Sequence, residues 1–299
     1  MFKNTFLNDF KMMYNSPSKS LVVIILANVG LFVLANLIQT VFLLFDINQA
    51  TYQAFVHILS LPAAAGNLIT QPWTIFSYMF LHLSFFHILF NMLWLYWMGK
   101  ILLDFLSSNK FIWIYILGGF AGGVLYMLLF NIFPGFSSNI NTSYLLGASA
   151  GVLAIVVATA TLLPDYSIQL MFFGTVKLKY LALVVVLLDL VSIGGGNSGG
   201  HIAHLGGALL GFVYIKQLRR GNDIGGAIGG FFQGINDYFK KQPKMKVAHK
   251  NKAYQGKAKS KVNEPDQAVI DKILDKISAS GYGSLTEDEK KKLFRASEN

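Results

Sequence analysis

The sequence predicts an all-α polytopic membrane protein with six transmembrane helices and a cytoplasmic helical hairpin at its C-terminus. Hydrophobic residues make up 54% of the 299 residues and charged residues only 13%, whereas about a quarter of the residues in soluble domains are charged. Of the 25 basic and 15 acidic residues, only four of each lie between Ser20 and Ile215. This apolar body with charged ends excludes an ordinary soluble protein. The count of zero cysteines excludes disulfides, thiol catalysis and cysteine-ligated metal sites.

Six stretches are candidate spans, because a spanning helix needs roughly 20 mostly apolar residues. They are Leu21–Phe45, Phe85–Leu103, Phe111–Phe133, Tyr144–Leu163, Leu178–Ile193 and His201–Leu218. The first stretch is too long for the core of a signal peptide, and no small-residue cleavage site follows it. We therefore expect it to be a retained anchor.

Basic residues alternate between the connections. They lie before the first span, in the second-to-third and fourth-to-fifth connections and after the sixth span, as Lys3, Lys11, Lys19, Lys100, Lys110, Lys177, Lys179, Arg219 and Arg220. The other connections carry no Lys or Arg. Because basic loops stay on the cytoplasmic side, this pattern predicts cytoplasmic termini for a protein of the cell (inner) membrane.

The chain is expected to have four parts. Residues 1–20 form a cytoplasmic segment, 21–220 the six-helix domain, 221–262 a basic flexible linker and 263–299 the helical hairpin. Between the first two spans, Asp46 to Ser84 predicts a loop lying partly in the outer interface. Within the linker, Gly221 to Phe239 is a candidate peripheral helix on the inner surface.

The linker ends in a basic run, Lys240 to Lys261, which holds nine lysines and no acid. Such a run is expected to be disordered and to bind the anionic inner leaflet of the bilayer. No base-reading element accompanies it, so we expect no nucleic acid partner. An unknown cytoplasmic partner of the tail stays open.

The hairpin is predicted from helix signals at both ends. Pro265 opens a first helix, and Gly281 and Gly283 end it. Thr286 and Glu289 then have the spacing of a capping box for a second helix. The hairpin is too small to be an enzyme.

Polar groups at membrane depth are functional candidates, because burying them in lipid is costly. His87 and Asn91 are four residues apart on one helix face. There the two donors could stabilise an oxyanion, or simply bond to each other or to a neighbouring helix. Ser149 lies in Gly147-Ala148-Ser149-Ala150-Gly151. This string matches the hydrolase nucleophile elbow, but that motif requires a preceding strand, which the sequence does not predict. Gly147 and Gly151 also fit close helix packing.

The sixth span supplies a matching base. His204 lies in Ala203-His204-Leu205-Gly206-Gly207, and spans two, four and six all run from outside inward. At ~1.5 Å per residue, Ser149 and His204 are both expected roughly 5–10 Å below the outer boundary. A Ser–His hydrogen bond needs ~2.6–3.2 Å, which helices rich in glycine permit.

These residues resemble the rhomboid intramembrane serine proteases over about Leu21 to Leu218. The resemblance rests on His-x-x-x-Asn in span two, Gly-x-Ser in span four and Ala-His-x-x-Gly in span six. It implies that Ser149 is the nucleophile and His204 its base, with His87, Asn91 and the Ser149 N–H as oxyanion hole. Residues expected to line or support the site are Gly147, Ala148, His82, His201 and Gly207.

The family uses a dyad without a carboxylate, and Asp189 is the only acid near the outer half of these spans.

Three positions depart from the family pattern. Ala150 follows the serine where glycine is common, and Leu153 replaces an aromatic residue that stacks on the histidine in some members. Thr74 follows Trp73 where arginine is common, which affects the anchoring of the first loop.

The resulting function is intramembrane serine endopeptidase activity on transmembrane-helix substrates near the outer face. A substrate helix weakened by Gly, Pro or Ser is favoured, because an intact helix hides its carbonyls in intrahelical hydrogen bonds.

The alternative is a non-proteolytic rhomboid-like protein that binds membrane helices. A metal site or transporter formed by His82, His87, His201 and His204 is a third possibility, but no H-E-x-x-H motif is present. We expect no metal and no cofactor.

Overall fold

The computed structural model of the chain describes residues 18–170, 174–239 and 267–297. The chain divides into two compact units, residues 1–241 and residues 242–299. The described part of the first unit is mainly helical. Its helices are α1 (Lys19–Leu44), α2 (Gln49–Leu59), α3 (Ala65–Thr70), α4 (Thr74–Ser77), α5 (Phe85–Leu103), α6 (Ser108–Ile132), α7 (Ser149–Leu162), α8 (Leu178–Ser192), α9 (Ser198–Arg219) and α10 (Ile224–Phe239).

Each predicted span corresponds to a helix, and three of these are clear membrane-span candidates. Within the described residues, α1, α5 and α6 are long and apolar enough to cross a membrane by length and composition. Helix α7 is apolar but has only 14 residues, and α8 has 15. The structure therefore supports a helical membrane protein with several span candidates, and the count of six remains a prediction.

The segment between α1 and α5 is folded and tied to its neighbours. It contains α2, α3, α4 and a two-residue strand, β1 (Leu61–Pro62). The indole Nε1 of Trp73 donates to the carbonyl of Ile58 at 2.8 Å, and the Ser77 hydroxyl donates to the carbonyl of Leu59 at 2.9 Å. The segment is therefore anchored although Thr74, not arginine, follows Trp73.

Glycines permit close contacts between helices of the first unit. A Cβ built on Gly122 of α6 would lie 2.6 Å from the Cβ of Ala150 and 2.6 Å from the carbonyl oxygen of Ala203. A Cβ on Gly151 of α7 would lie 2.8 Å from the carbonyl oxygen of Tyr115. In lipid no hydrophobic force drives helices together, because the lipid tails are themselves apolar. Close packing at small residues such as these glycines therefore holds membrane helices together. The glycines thus place α6, α7 and α9 side by side.

The fourth predicted span begins later than expected. Tyr144 and Leu145 form strand β2, which pairs antiparallel with β1, Leu61 opposite Leu145 and Pro62 opposite Tyr144. Helix α7 starts only at Ser149. The prediction that the helix begins at Tyr144 is therefore wrong, because the hydropathy of Tyr144 to Leu146 does not distinguish a strand from a helix.

A second two-stranded sheet joins α7 to α8. Strands β3 (Ser167–Leu170) and β4 (Gly174–Lys177) pair antiparallel. Asp165 accepts hydrogen bonds from Lys177 at 3.0 Å and Lys179 at 2.8 Å. No pattern in the sequence predicted this pair of strands.

Helix α10 occupies the position of the candidate peripheral helix, so the first part of the predicted linker is helical. Asp223, just before α10, accepts from the Gly226 N–H at 3.0 Å and lies 3.2 Å from the ammonium of Lys110. These bonds hold the pKa of the Asp223 carboxyl below its usual value, the backbone hydrogen bond contributing most. The basic run Lys240 to Lys261 lies outside the described residues.

The second unit contains two helices, α11 (Gln267–Ser280) and α12 (Glu287–Ser297). Gly281, with φ of 76°, ends the first. The predicted capping box is present: the Thr286 N–H donates to Glu289 at 2.8 Å, and the Glu289 N–H donates to the Thr286 hydroxyl at 3.4 Å. Ile270 and Ile273 are buried on one face of α11.

Candidate active site

A cavity of about 1040 Å³ lies among α5, α6, α7, α8 and α9. Its lining includes the four residues predicted to act in catalysis, together with one carboxylate: His87, Asn91, Ser149, His204 and Asp189. Aromatic side chains, among them Trp94 and Tyr126, form part of the remaining wall. The cavity thus brings a hydroxyl, two imidazoles, a carboxamide and a carboxylate to one place.

Ser149 is the first residue of α7 and follows a sharp turn. Strand β2 ends at Leu145, and the Gly147 N–H then donates to the carbonyl of Tyr78 at 2.9 Å. The Ala148 N–H donates to Nε2 of His82 at 3.2 Å. The first N–H groups of a helix have no partner within the helix. Ser149 therefore lies beside backbone donors that favour an anion.

The turn at Gly147 also positions His87. Gly147 has φ of +118°, a conformation that residues with a side chain rarely adopt. A Cβ at Gly147 would lie 2.6 Å from Cε1 and 2.9 Å from Nε2 of His87. The imidazole therefore packs directly on the glycine, two residues before Ser149. Only glycine fits both the backbone angle and the contact.

Asn91 lies one helical turn beyond His87 on α5. Its amide Nδ2 donates to the carbonyl of His87 at 2.8 Å. This bond fixes the amide plane and uses one of the two N–H groups, so the other is free to turn toward a ligand in the cavity. Among the described residues, no hydrogen bond joins the side chain of His87 to that of Asn91, which was one of the alternatives open from the sequence.

Helices α7 and α9 touch next to the predicted dyad. A Cβ on Gly207 would overlap the carbonyl oxygen of Ala150, the residue after Ser149. Ser149 and His204 line the same cavity. In the part of the chain that the structure describes, no hydrogen bond joins the Ser149 hydroxyl to His204. Catalytic hydrogen bonds often tighten only when substrate binds.

The predicted supporting residues fall into two groups. Gly147, Ala148 and His82 form the turn before Ser149, and His82 is fully buried there. Gly207 and His201 belong to α9. His201 does not line the cavity; instead its Nδ1 lies 2.8 Å from Oδ1 of Asp189.

Sequence reasoning missed the position of Asp189. Its Oδ1 also lies 2.8 Å from Nδ1 of His204, so one carboxylate oxygen contacts two histidines. We expected a dyad with no carboxylate, and the structure instead places one against His204. The sequence signal for this contact is a single acid inside an apolar helix, because such residues are rarely without a partner.

Asp189, His201 and His204 are also a group of potential metal ligands. One ligand atom each from Asp189, His201 and His204 lies within 4.8 Å of the others. The two hydrogen bonds account for this spacing without an ion. Within the described residues, the four histidines considered from the sequence do not form such a group, and Nε2 of His82 accepts a hydrogen bond from the Ala148 N–H. The absence of a metal remains a prediction.

Comparison with known proteins gives the family. The Rhomboid domain family matches residues 70–221, half of the chain. The chain belongs to the rhomboid family. Residues 260–299 match a family of unknown function, DUF6576.

Two curated relatives are also rhomboid-like. RHOMBOID-like protein 12, mitochondrial, of Arabidopsis thaliana is 26% identical over 66% of this chain and 58% of its own length. Presenilin-associated rhomboid-like protein A, mitochondrial, of Danio rerio is 27% identical over 52% of this chain and 38% of its own length. The chain thus spans about half the length of these relatives.

These relatives correct the expected location. We expected a protein of the cell (inner) membrane, but both relatives are named as mitochondrial. The comparison points to a mitochondrial membrane, and the earlier expectation is wrong. Membership of the rhomboid family and the apolar helices support a membrane protein.

Proposed function

We propose that this rhomboid is an intramembrane serine endopeptidase that cleaves transmembrane-helix substrates. The observation that carries the proposal is the cavity of about 1040 Å³, whose lining combines Ser149 and His204 with His87 and Asn91. In this proposal six helices, α1 and α5 to α9, cross the membrane, and the cavity lies near its outer face.

The reaction begins with proton transfer between two of these residues. His204 takes the proton of the Ser149 hydroxyl as general base, while the oxygen attacks a peptide carbonyl carbon. The protonated imidazole then gives its proton to the leaving amine, which breaks the C–N bond. Water, activated by the same histidine, hydrolyses the acyl-enzyme. Hydrolysis requires water at the site, which the polar groups of the cavity favour.

The negative charge of the intermediate would be stabilised at the start of α7. The candidate donors are the backbone N–H of Ser149, the Asn91 carboxamide and the His87 imidazole, which packs on Gly147. Removal of one such donor typically costs 10²–10³-fold in rate. The helix terminus adds a favourable field for an anion.

The substrate must present an exposed carbonyl to Ser149. A membrane helix satisfies its carbonyls internally, so segments weakened by Gly, Pro or Ser are the preferred substrates. The basic tail on anionic lipid and an unknown partner of the tail remain predictions, because Lys240 to Lys261 lie outside the described residues.

The second candidate is a non-proteolytic rhomboid that binds membrane helices. The observation in its favour is that Ser149 and His204 form no hydrogen bond in the described structure. This candidate predicts binding of the same substrates without cleavage.

The full chain, purified and reconstituted in proteoliposomes, tests the proposal against a labelled transmembrane helix that contains Gly and Ser. We expect cleavage by the wild type and at least about a 1000-fold loss in Ser149→Ala and in His204→Ala. Ser143→Ala is the matched control, because Ser143 also lines the cavity. Equal rates for wild type and both dyad variants, including no cleavage by any of them, would refute proteolysis.

A further inference from the structure

Helix α8 carries one buried carboxylate among apolar residues. Asp189 is 6% exposed, and its neighbours Leu187, Leu188, Leu190 and Val191 face outward, each at least 49% exposed. A carboxylate inside a membrane helix is costly unless it is paired. The partner of Asp189 therefore has to be found inside the protein.

Both partners lie on α9, three residues apart. Oδ1 of Asp189 is 2.8 Å from Nδ1 of His201 and 2.8 Å from Nδ1 of His204. Residues three apart share a helix face, so one oxygen reaches both rings. An ionised carboxylate only accepts hydrogen bonds, so each Nδ1 carries the hydrogen.

This arrangement determines which nitrogen of His204 is available for chemistry. In a neutral imidazole with hydrogen on Nδ1, Nε2 has the lone pair. His204 and Ser149 line the same cavity. The hydrogen bond to Asp189 thus leaves the base atom of His204 unprotonated and holds the ring at one angle.

We propose that Asp189 is a positioning residue that orients His204 and fixes its reactive tautomer, with His201 as a second donor that holds the carboxylate in place. The inference rests on the proposed proteolysis and deepens it. When His204 takes the proton of Ser149, the imidazolium formed is stabilised by the adjacent carboxylate. Leu153 stands where some family members stack an aromatic ring, so the carboxylate performs the orientation here.

A divalent metal is the competing explanation for three ligand atoms within 4.8 Å of one another. A metal requires a lone pair on one ring nitrogen of each histidine, whereas hydrogen-bonded positioning requires Nδ1 of both rings to carry hydrogen. It also makes His201 as important as Asp189. Metal binding and hydrogen-bonded positioning therefore predict different effects on activity when His201 is substituted and when a chelator is added.

The test compares Asp189→Asn with Asp165→Asn in the full chain, by initial rates of substrate cleavage at several pH values. Asp165 is an exposed aspartate of the α7–α8 connection that pairs with Lys177 and Lys179, so it controls for loss of an acid. We expect at least about a 100-fold fall in kcat for Asp189→Asn, KM within about threefold, and no change for Asp165→Asn.

The pH profile separates positioning from a structural role. Removing the carboxylate destabilises the imidazolium, so the acid limb of kcat moves to lower pH in Asp189→Asn. The titratable side chains that line the cavity with His204 are His87, Tyr126, Tyr144 and Asp189, and His201 reaches His204 through Asp189. His87→Gln is introduced both into the wild-type chain and into Asp189→Asn. The comparison identifies the part of the pH profile of kcat that His87 contributes. An unshifted profile in Asp189→Asn overturns the inference.

His201→Gln and chelation complete the test. We expect His201→Gln to lose less than about tenfold, because Asp189 still reaches His204, and EDTA to have no effect. Equal losses of activity in His201→Gln and Asp189→Asn would contradict positioning. Loss of activity in EDTA that zinc restores would contradict it as well. If Asp189→Asn does not fold, Asp189→Ser takes its place, because it also removes the carboxylate, and the same shift is expected. A wild type that cuts no better than Ser149→Ala refutes the proposed function, whereas an active wild type with a fully active Asp189→Asn refutes the inference alone.

Discussion

His87 rests directly on Gly147: a Cβ at Gly147 would lie 2.6 Å from Cε1 of the imidazole. Gly147 also has φ of +118°. The glycine therefore does two things. It lets the chain turn from strand β2 into helix α7, and it lets a candidate oxyanion donor approach Ser149.

Gly147→Ala is expected to reduce cleavage by about 100-fold or more, because the methyl group displaces His87 and one displaced donor costs 10²–10³-fold. The strained backbone adds about 1–3 kcal/mol of destabilisation. Initial rates and thermal unfolding in detergent measure the two effects. Gly135→Ala is the control, because nothing lies within 4 Å of its Cβ position. Full activity of Gly147→Ala would contradict this role of the turn.

Gly207→Ala tests the contact between α7 and α9. The new Cβ would overlap the carbonyl oxygen of Ala150, and backbone cannot move aside as a side chain does. Overpacking of this kind costs about 1–3 kcal/mol, so we expect a lower unfolding temperature together with reduced cleavage. Gly30→Ala in α1, with open space around it, should unfold no earlier than the wild type. If both variants are as stable as the wild type, the two helices are not in contact as described.

Trp73→Phe removes the hydrogen bond from the indole to the carbonyl of Ile58. Such a bond contributes about 1 kcal/mol, so we expect a small decrease in unfolding temperature. Trp97→Phe is a matched control, because Trp97 is 51% exposed and Trp73 is 49% exposed. Among the described residues, the Trp97 indole makes no hydrogen bond. An equal decrease in both variants would exclude a specific role of the bond.

Glu289 gives the second unit an acid-sensitive contact. The Thr286 N–H, the Lys276 ammonium and the Thr286 hydroxyl bond to its carboxylate and lower its pKa from 4.5 to about 2. The bonds favour the charged form, so the stabilisation is complete above pH 4.5 and is lost as the pH falls toward 2.

Carboxyl ¹³C NMR of the full chain, with the signal assigned by its loss in Glu289→Gln, measures this midpoint. We expect a value near 2, moved upward in Lys276→Met. Glu287→Gln, which removes a carboxylate paired with Lys290 instead, should leave the midpoint unchanged. Titration at the ordinary value of 4.5 would mean that these bonds do not form in solution.

The sequence predicted the helices well because hydropathy is a local property. Predicted and observed ends of the second span agree at Phe85 and Leu103, and the Thr286–Glu289 capping box follows from a three-residue spacing. Strand β2 and the contact of Asp189 with His204 were missed. Both depend on pairs of residues in different elements, Leu61 with Leu145 and Asp189 with His204, and periodicity within one element contains no information on such pairs.

Reaction with a fluorophosphonate tests the central claim most directly, because the probe forms a covalent bond only with an activated serine. We expect labelling of the wild-type chain, assigned to Ser149 by peptide mass spectrometry, and of Ser143→Ala. Ser149→Ala and His204→Ala should not be labelled. Absence of label in a folded wild-type chain, or label of equal intensity in Ser149→Ala, would contradict the account.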